Sequence, residues 1–97
     1  MHEIKEPIAQ RTLKSGDFII TVNIDKPEAD ELDYRCWYSI NIGQRKKISY
    51  AIGIDSVQAL QLAMKKINAD LLAIGKETGA PITWLDEAPG ENGFTFR

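Results

Sequence analysis

A chain of 97 residues with 43% hydrophobic and 27% charged residues has the length for one hydrophobic core and the composition of an ordinary globular protein, which excludes two independent domains and a disordered chain. Its 12 Lys and Arg against 14 Asp and Glu leave a formal charge of -2, which argues against nucleic-acid backbones as the main partner. No run approaches the roughly 20 apolar residues of a membrane span. Glu3, Lys5 and Glu6 break any signal-peptide core, and the lone Cys36 leaves no internal disulfide, so a cytoplasmic protein without a membrane partner is expected.

In chain order, Pro7 to Lys14 reads as a strand whose proline suits a strand start or a sheet edge. Ser15-Gly16 offers a turn, and Asp17 to Asp25 alternates, with Phe18, Ile20, Val22 and Ile24 on one face. Asp25 to Asp33 carries five acidic residues and Pro27, the pattern of a solvated loop. Alternation resumes from Tyr34 to Gly43, with Tyr34, Cys36, Tyr38, Ile40 and Ile42 on the apolar face and Arg35, Trp37, Ser39 and Asn41 on the other. After a turn at Gly43 to Lys46, the run Lys47 to Ile54 places Ile48, Tyr50, Ile52 and Ile54 on the apolar face, opposite Ser49, Ala51 and Gly53.

Asp55 to Ile74 is the clearest element. Val57, Leu60, Met64, Ile67, Leu71 and Ile74 recur every three or four residues along one helical stripe, broadened by Ala63 with Leu62 or Ala59. Asp55 and Gln58 have the spacing of a capping box, and Gly75 offers a left-handed stop. Beyond it, Ile82 to Leu85 and Phe94 to Phe96 are short strand candidates on either side of a turn-rich segment.

The pattern predicts an α+β domain spanning residues 1–97, an antiparallel four- to five-stranded sheet packed on one long amphipathic helix in the order β-β-β-β-α-β. The expected spatial order puts the C-terminal strand antiparallel to the first. Parallel addition beside the fourth is the alternative.

The run Tyr50 to Ala63, with Asp55-Ser56-Val57-Gln58-Ala59-Leu60-Gln61-Leu62-Ala63 at the helix start, resembles a family of small uncharacterised bacterial proteins. Ile82-Thr83-Trp84-Leu85 and Gly93-Phe94 add to the resemblance, as do Ile8-Ala9-Gln10-Arg11 and Tyr34-Arg35-Cys36. It implies bacterial origin and no assigned activity or site residue. The family's Gly-Phe-Pro-Arg ending is replaced here by Gly93-Phe94-Thr95-Phe96-Arg97.

The chemical inventory is thin. The single histidine, His2, sits at the terminus, and Cys36 lies on an apolar face with no histidine beside it, which excludes Ser-His-Asp and Cys-His catalysis and a zinc site. Asp30, Glu31 and Asp33 lack the spacing of a calcium loop, and Gly90-Glu91-Asn92-Gly93 does not match a phosphate loop. No cofactor is expected. Two features stand out as an interaction surface: the acidic residues Asp30, Glu31 and Asp33, suited to a basic partner, and Trp37 beside Arg35 on the polar sheet face. The C-terminal segment, through Trp84 or Phe94, could instead cover Trp37 as part of a satellite core.

The sequence therefore reads as a non-enzymatic binding or protein-interaction domain, its partner another protein or a second copy of itself. One alternative is a small-ligand domain or small enzyme with a groove near Trp37 and the C-terminal segment. Another is single-stranded nucleic-acid binding on the open sheet, although such platforms carry two or three aromatics and a positive field.

Overall fold

The computed structural model describes residues 3–94. Five strands precede one helix: β1 (Pro7–Ser15), β2 (Phe18–Asp25), β3 (Glu28–Asp30), β4 (Asp33–Ile42), β5 (Arg45–Gly53) and α1 (Ser56–Thr78). All pairings are antiparallel, giving an α+β fold.

β1 pairs with β2, and β2 with β4 from Ile24↔Tyr38 to Ile20↔Ile42. β5 runs along the whole of one edge of β4, from Tyr34↔Gly53 to Ile42↔Arg45. That leaves β3 on the same edge as β2, with Glu28 opposite Arg35 and Asp30 opposite Asp33. β2 and β3 are thus one strand path interrupted around Pro27, which has no N–H to give to a ladder.

The acidic stretch expected to be a loop is therefore mostly hairpin, turning through Glu31-Leu32. Its strand character follows from the available edge of β4 and from Arg35, which lies across from Glu28 and ion-pairs with Asp30 at 3.0 Å. At the interruption the buried Asp25 carboxylate accepts from the backbone N–H groups of Lys5 (3.1 Å) and Glu6 (2.6 Å), fixing the start of β1.

The helix carries the expected cap. Asp55 accepts from Gln58 N at 2.7 Å, while Gln58 Oε1 accepts from Ile54 N at 2.7 Å. It runs one turn past the expected stop. Gly75 is an interior helical residue next to Ala80 and Pro81, and Gly79, at φ 73°, is the left-handed cap.

The buried stripe is also rotated from the one read in the sequence. Ala59, Ala63, Ile67, Leu71 and Ile74 are buried, Leu60 and Met64 are partly so, and Val57 is exposed. The cause is close approach of helix and sheet. A Cβ at Gly53 would lie 2.3 Å from Ala59 N, so only glycine fits there, and alanines fill the contact.

The same approach inverts β5. Ala51 and Gly53 share the α1 side with Cys36 and Tyr34, their cross-strand partners, while Ile48, Tyr50 and Ile52 sit on the other face beside Ser39, Trp37 and Arg35. The expectation that the large residues of this strand face the core is corrected: large side chains there would hold the helix off the sheet.

The cover over the sheet has two parts. α1 lies over β4 and β5. The coil after Gly79 runs beside β1, where Ser15 Oγ donates to Ala80 O (2.9 Å) and Lys14 and Thr83 form an antiparallel bridge. Instead of a full C-terminal strand there is this single bridge, and Phe96 lies outside the described residues. Ile82 and Phe94 from the coil join the core of Leu13, Ile20, Val22, Tyr38, Ile40, Ile67 and Leu71.

Candidate functional site

Among the described residues, no helix or coil covers the face of the sheet away from α1. The alternation of β4 sends Arg35, Trp37, Ser39 and Asn41 to it, and the inverted β5 adds Ile52, Tyr50 and Ile48 directly across from the first three. Trp37 and Tyr50 have ring centroids 4.7 Å apart, tilted by 52°. Arg35 lays its guanidinium over Tyr50 at 4.4 Å while holding Asp30 at 3.0 Å, so Asp30, Arg35, Tyr50 and Trp37 form one continuous contact series. Arg35 Nε is buried without a hydrogen-bond partner. Ile52, 44% exposed, extends the patch toward the end of the sheet.

The other half of this face is polar. Gln10 Nε2 donates to Asn23 Oδ1 (2.8 Å), and Asn23 Nδ2 donates to Ser39 Oγ (3.4 Å), a ladder of amides and hydroxyl crossing β1, β2 and β4. Thr12 and Thr21, paired in register, continue it. The surface thus changes from amide to aromatic between β2 and β5.

Of the residues singled out in the sequence, Asp30, Arg35 and Trp37 are brought together. Asp33 lies opposite Asp30 at the base of the hairpin turn. Glu31 occupies the turn itself with φ 52°, beside Leu32, which is 92% exposed. Arg11 is on the helix side of the sheet, paired with the buried Val22. It stacks on Trp84 (4.0 Å) and Phe94 (4.8 Å) and donates to Asn92 O (3.3 Å). The described part of the C-terminal segment therefore covers Arg11, on the opposite face of the sheet from Trp37, and no groove joins it to Trp37 among the described residues. Tyr50 and Ile52 were missed by sequence reasoning. The signal for them was Ala51 and Gly53 in the opposite phase, small residues of the kind a closely packed helix demands.

The titratable groups of the interior are structural in their surroundings. Burial, with the nearby Asp25 adding to it, raises the Cys36 thiol to about 11, so it stays protonated and inert. Tyr38, fully buried, is pushed well above the usual tyrosine range by burial first and then by its hydrogen bond to Asp70. Asp70 also pairs with Lys47 at 3.1 Å. Alongside, Lys66 Nζ donates to Ser49 Oγ and Tyr50 O, both at 2.9 Å, and so ties α1 to β5. No group of three or more His, Cys, Asp and Glu side chains among the described residues is placed to hold a metal ion, and no described helix is long and apolar enough to cross a membrane. His2 lies outside the described residues.

An antiparallel sheet backed by a single helix, with an aromatic and charged open face, defines a small α+β domain without a recognisable catalytic constellation among its described residues. The family comparison is consistent with that description. Residues 9–96 match a domain of unknown function, DUF6968, and the chain belongs to that family. No curated protein and no solved structure matches the chain.

Proposed function

We propose that the domain is a non-enzymatic interaction module that presents its open sheet face to another protein. The observation that carries this reading is the packing of Trp37 against Tyr50 on the uncovered face, with Arg35 over Tyr50 and Ile52 exposed beside them. Tryptophan, tyrosine and arginine are the residues most enriched among binding hot spots. On the adjoining hairpin Glu28 lies across from Arg35 and Asp30 pairs with it, while Glu31 and Asp33 add negative charge at the turn, which suits a partner that is apolar at its centre and basic where it meets the hairpin.

Stacking of bases is disfavoured by the same geometry, because Tyr50 already packs against both Trp37 and Arg35 and the rim is acidic.

The test begins with recovery of bound protein from the native cell and ends with titration of the purified pair. Trp37→Ala should weaken binding about 30-fold, the ratio equivalent to a hot spot of about 2 kcal/mol. Reversal of Asp30, Glu31 and Asp33 to Lys should slow association and flatten its salt dependence. Equal binding by all variants rejects the reading. A homodimer in sedimentation that Trp37→Ala dissolves would reassign the face to self-association.

A further inference from the structure

Three observations meet on the outer margin of β1. The first concerns the backbone. Lys14 N donates to Thr83 O (3.0 Å) and Thr83 N to Lys14 O (2.8 Å), so Lys14 turns both main-chain groups away from β2. The strand period of two gives Thr12 and Gln10 the same outward direction. Among the described residues neither makes a backbone hydrogen bond outward. The coil abandons the strand direction soon after Thr83, at Leu85 with φ 53°, and a loop closed by Trp84 N to Glu91 O (2.9 Å) carries it away.

The second observation is exposure. Pro7, Ile8, Ala9 and Gln10 are all exposed, so the start of β1 is uncovered on both faces of the sheet, although Val22 and Ile24 of the neighbouring strand are buried. The third is a gap in the cover. A groove of about 190 Å³ separates β1 from α1, lined on the helix side of the sheet by Ile8, Ala9, Ile24, Leu60, Met64 and Phe94. It is smaller than the roughly 300–1,000 Å³ of a drug-sized ligand pocket, and matches individual aliphatic side chains instead.

We propose that this margin is a strand-addition site, where an extended segment of a partner protein pairs antiparallel with β1 across Gln10 to Thr12. The occupant follows from the site. Outward main-chain donors and acceptors in strand geometry call for another main chain, and the bridge to Thr83 shows this edge accepting one antiparallel. Side chains of the added strand alternate between the apolar groove and the polar face that holds Gln10, Thr12 and Thr21, so the segment is apolar at every second position. The site lies on the opposite margin from Tyr50 and stands independently of the open-face reading.

The test uses the full chain and a displayed library of random octapeptides, followed by titration of a synthetic selected peptide by fluorescence anisotropy. The expected result is enrichment of alternating apolar and polar peptides, with affinity falling at least tenfold for Thr12→Pro and for Met64→Lys and staying unchanged for Trp37→Ala. Thr12→Pro removes an outward N–H and leaves the β1–β2 ladder intact, a substitution that edge strands tolerate. Methylating alternate peptide nitrogens removes the same hydrogen bonds from the ligand side without altering the protein, and should abolish binding. Absence of enrichment, or peptides that bind the Met64→Lys chain equally or are indifferent to N-methylation, overturns the proposal.

Discussion

The two margins of the sheet are finished by different means. At β5 the helix presses close enough that Gly53 has room for no side chain, and Lys66 reaches across to occupy the carbonyl of Tyr50, a main-chain acceptor that would otherwise be open at the edge. At β1 the cover is a coil that touches the edge through one bridge and leaves a groove beside it. A basic side chain on an edge strand blocks edge-to-edge pairing, whereas an unpaired edge beside an apolar groove invites it. One outward acceptor of β5 is thus taken by a basic side chain from the helix, β1 keeps an open groove beside its edge, and the inversion of β5 sends Tyr50 and Ile52 to the open face.

The strongest way to break the β5 margin is Gly53→Val. Its Cβ would meet the backbone of Ala59 at 2.3 and 2.8 Å, and backbone cannot swing aside, so a loss of at least about 3 kcal/mol in denaturant unfolding is expected. A Gly53→Val chain with unchanged stability would mean that helix and sheet are not in this register.

Alkaline pH probes the core beneath the same margin. Cys36 is raised from its ordinary value of 9.0 to about 11, so the unfolded chain releases the thiol proton first. The stabilising contribution is complete below pH 9 and is lost as pH rises through 11, by about 3 kcal/mol in all. Unfolding of the wild type and Cys36→Ala across that window should show the steeper slope in the wild type, the slope common to both coming from Tyr38, whose buried hydroxyl is also raised. Thiol reagents at pH 8 should label the folded chain no faster than it opens.

A smaller effect sharpens the helix attachment. Tyr38→Phe removes the hydroxyl from Asp70, which keeps Lys47 at 3.1 Å, and should cost about 1.5 kcal/mol in thermal or denaturant unfolding. A variant as stable as the wild type would show that the Lys47 pair alone satisfies Asp70.

Much of this fold is legible in the sequence where local and tertiary signals agree. The alternation of Ile20, Val22 and Ile24 and of Cys36, Tyr38 and Ile40 places those side chains in the core, and Asp55 with Gln58 marks the helix start. The errors arise where tertiary contact overrides the local pattern. In β5 the large residues are apolar and the small ones nearly neutral, so hydrophobicity alone selects the wrong face; only the space left by α1 decides it. The acidic segment around Pro27 has the composition of a loop and becomes strand because β4 offers an edge and Arg35 a counter-charge. Asp30, Arg35 and Trp37 could be found as anomalies of the acidic stretch and the polar face, but Tyr50, which joins Arg35 to Trp37, depended on the β5 face.

That face assignment is tested most directly by disulfide trapping in a Cys36→Ala background. Tyr50 directs its carbonyl outward to Lys66, so Trp37 and Tyr50 form the closely spaced, non-hydrogen-bonded kind of cross-strand pair that a disulfide can bridge. Trp37→Cys with Tyr50→Cys should oxidise readily and leave the circular dichroism unchanged, while Trp37→Cys with Ala51→Cys should stay reduced. Closure of the second pair in preference to the first would return Ala51 to the open face, restore Tyr50 to the core, and contradict the account.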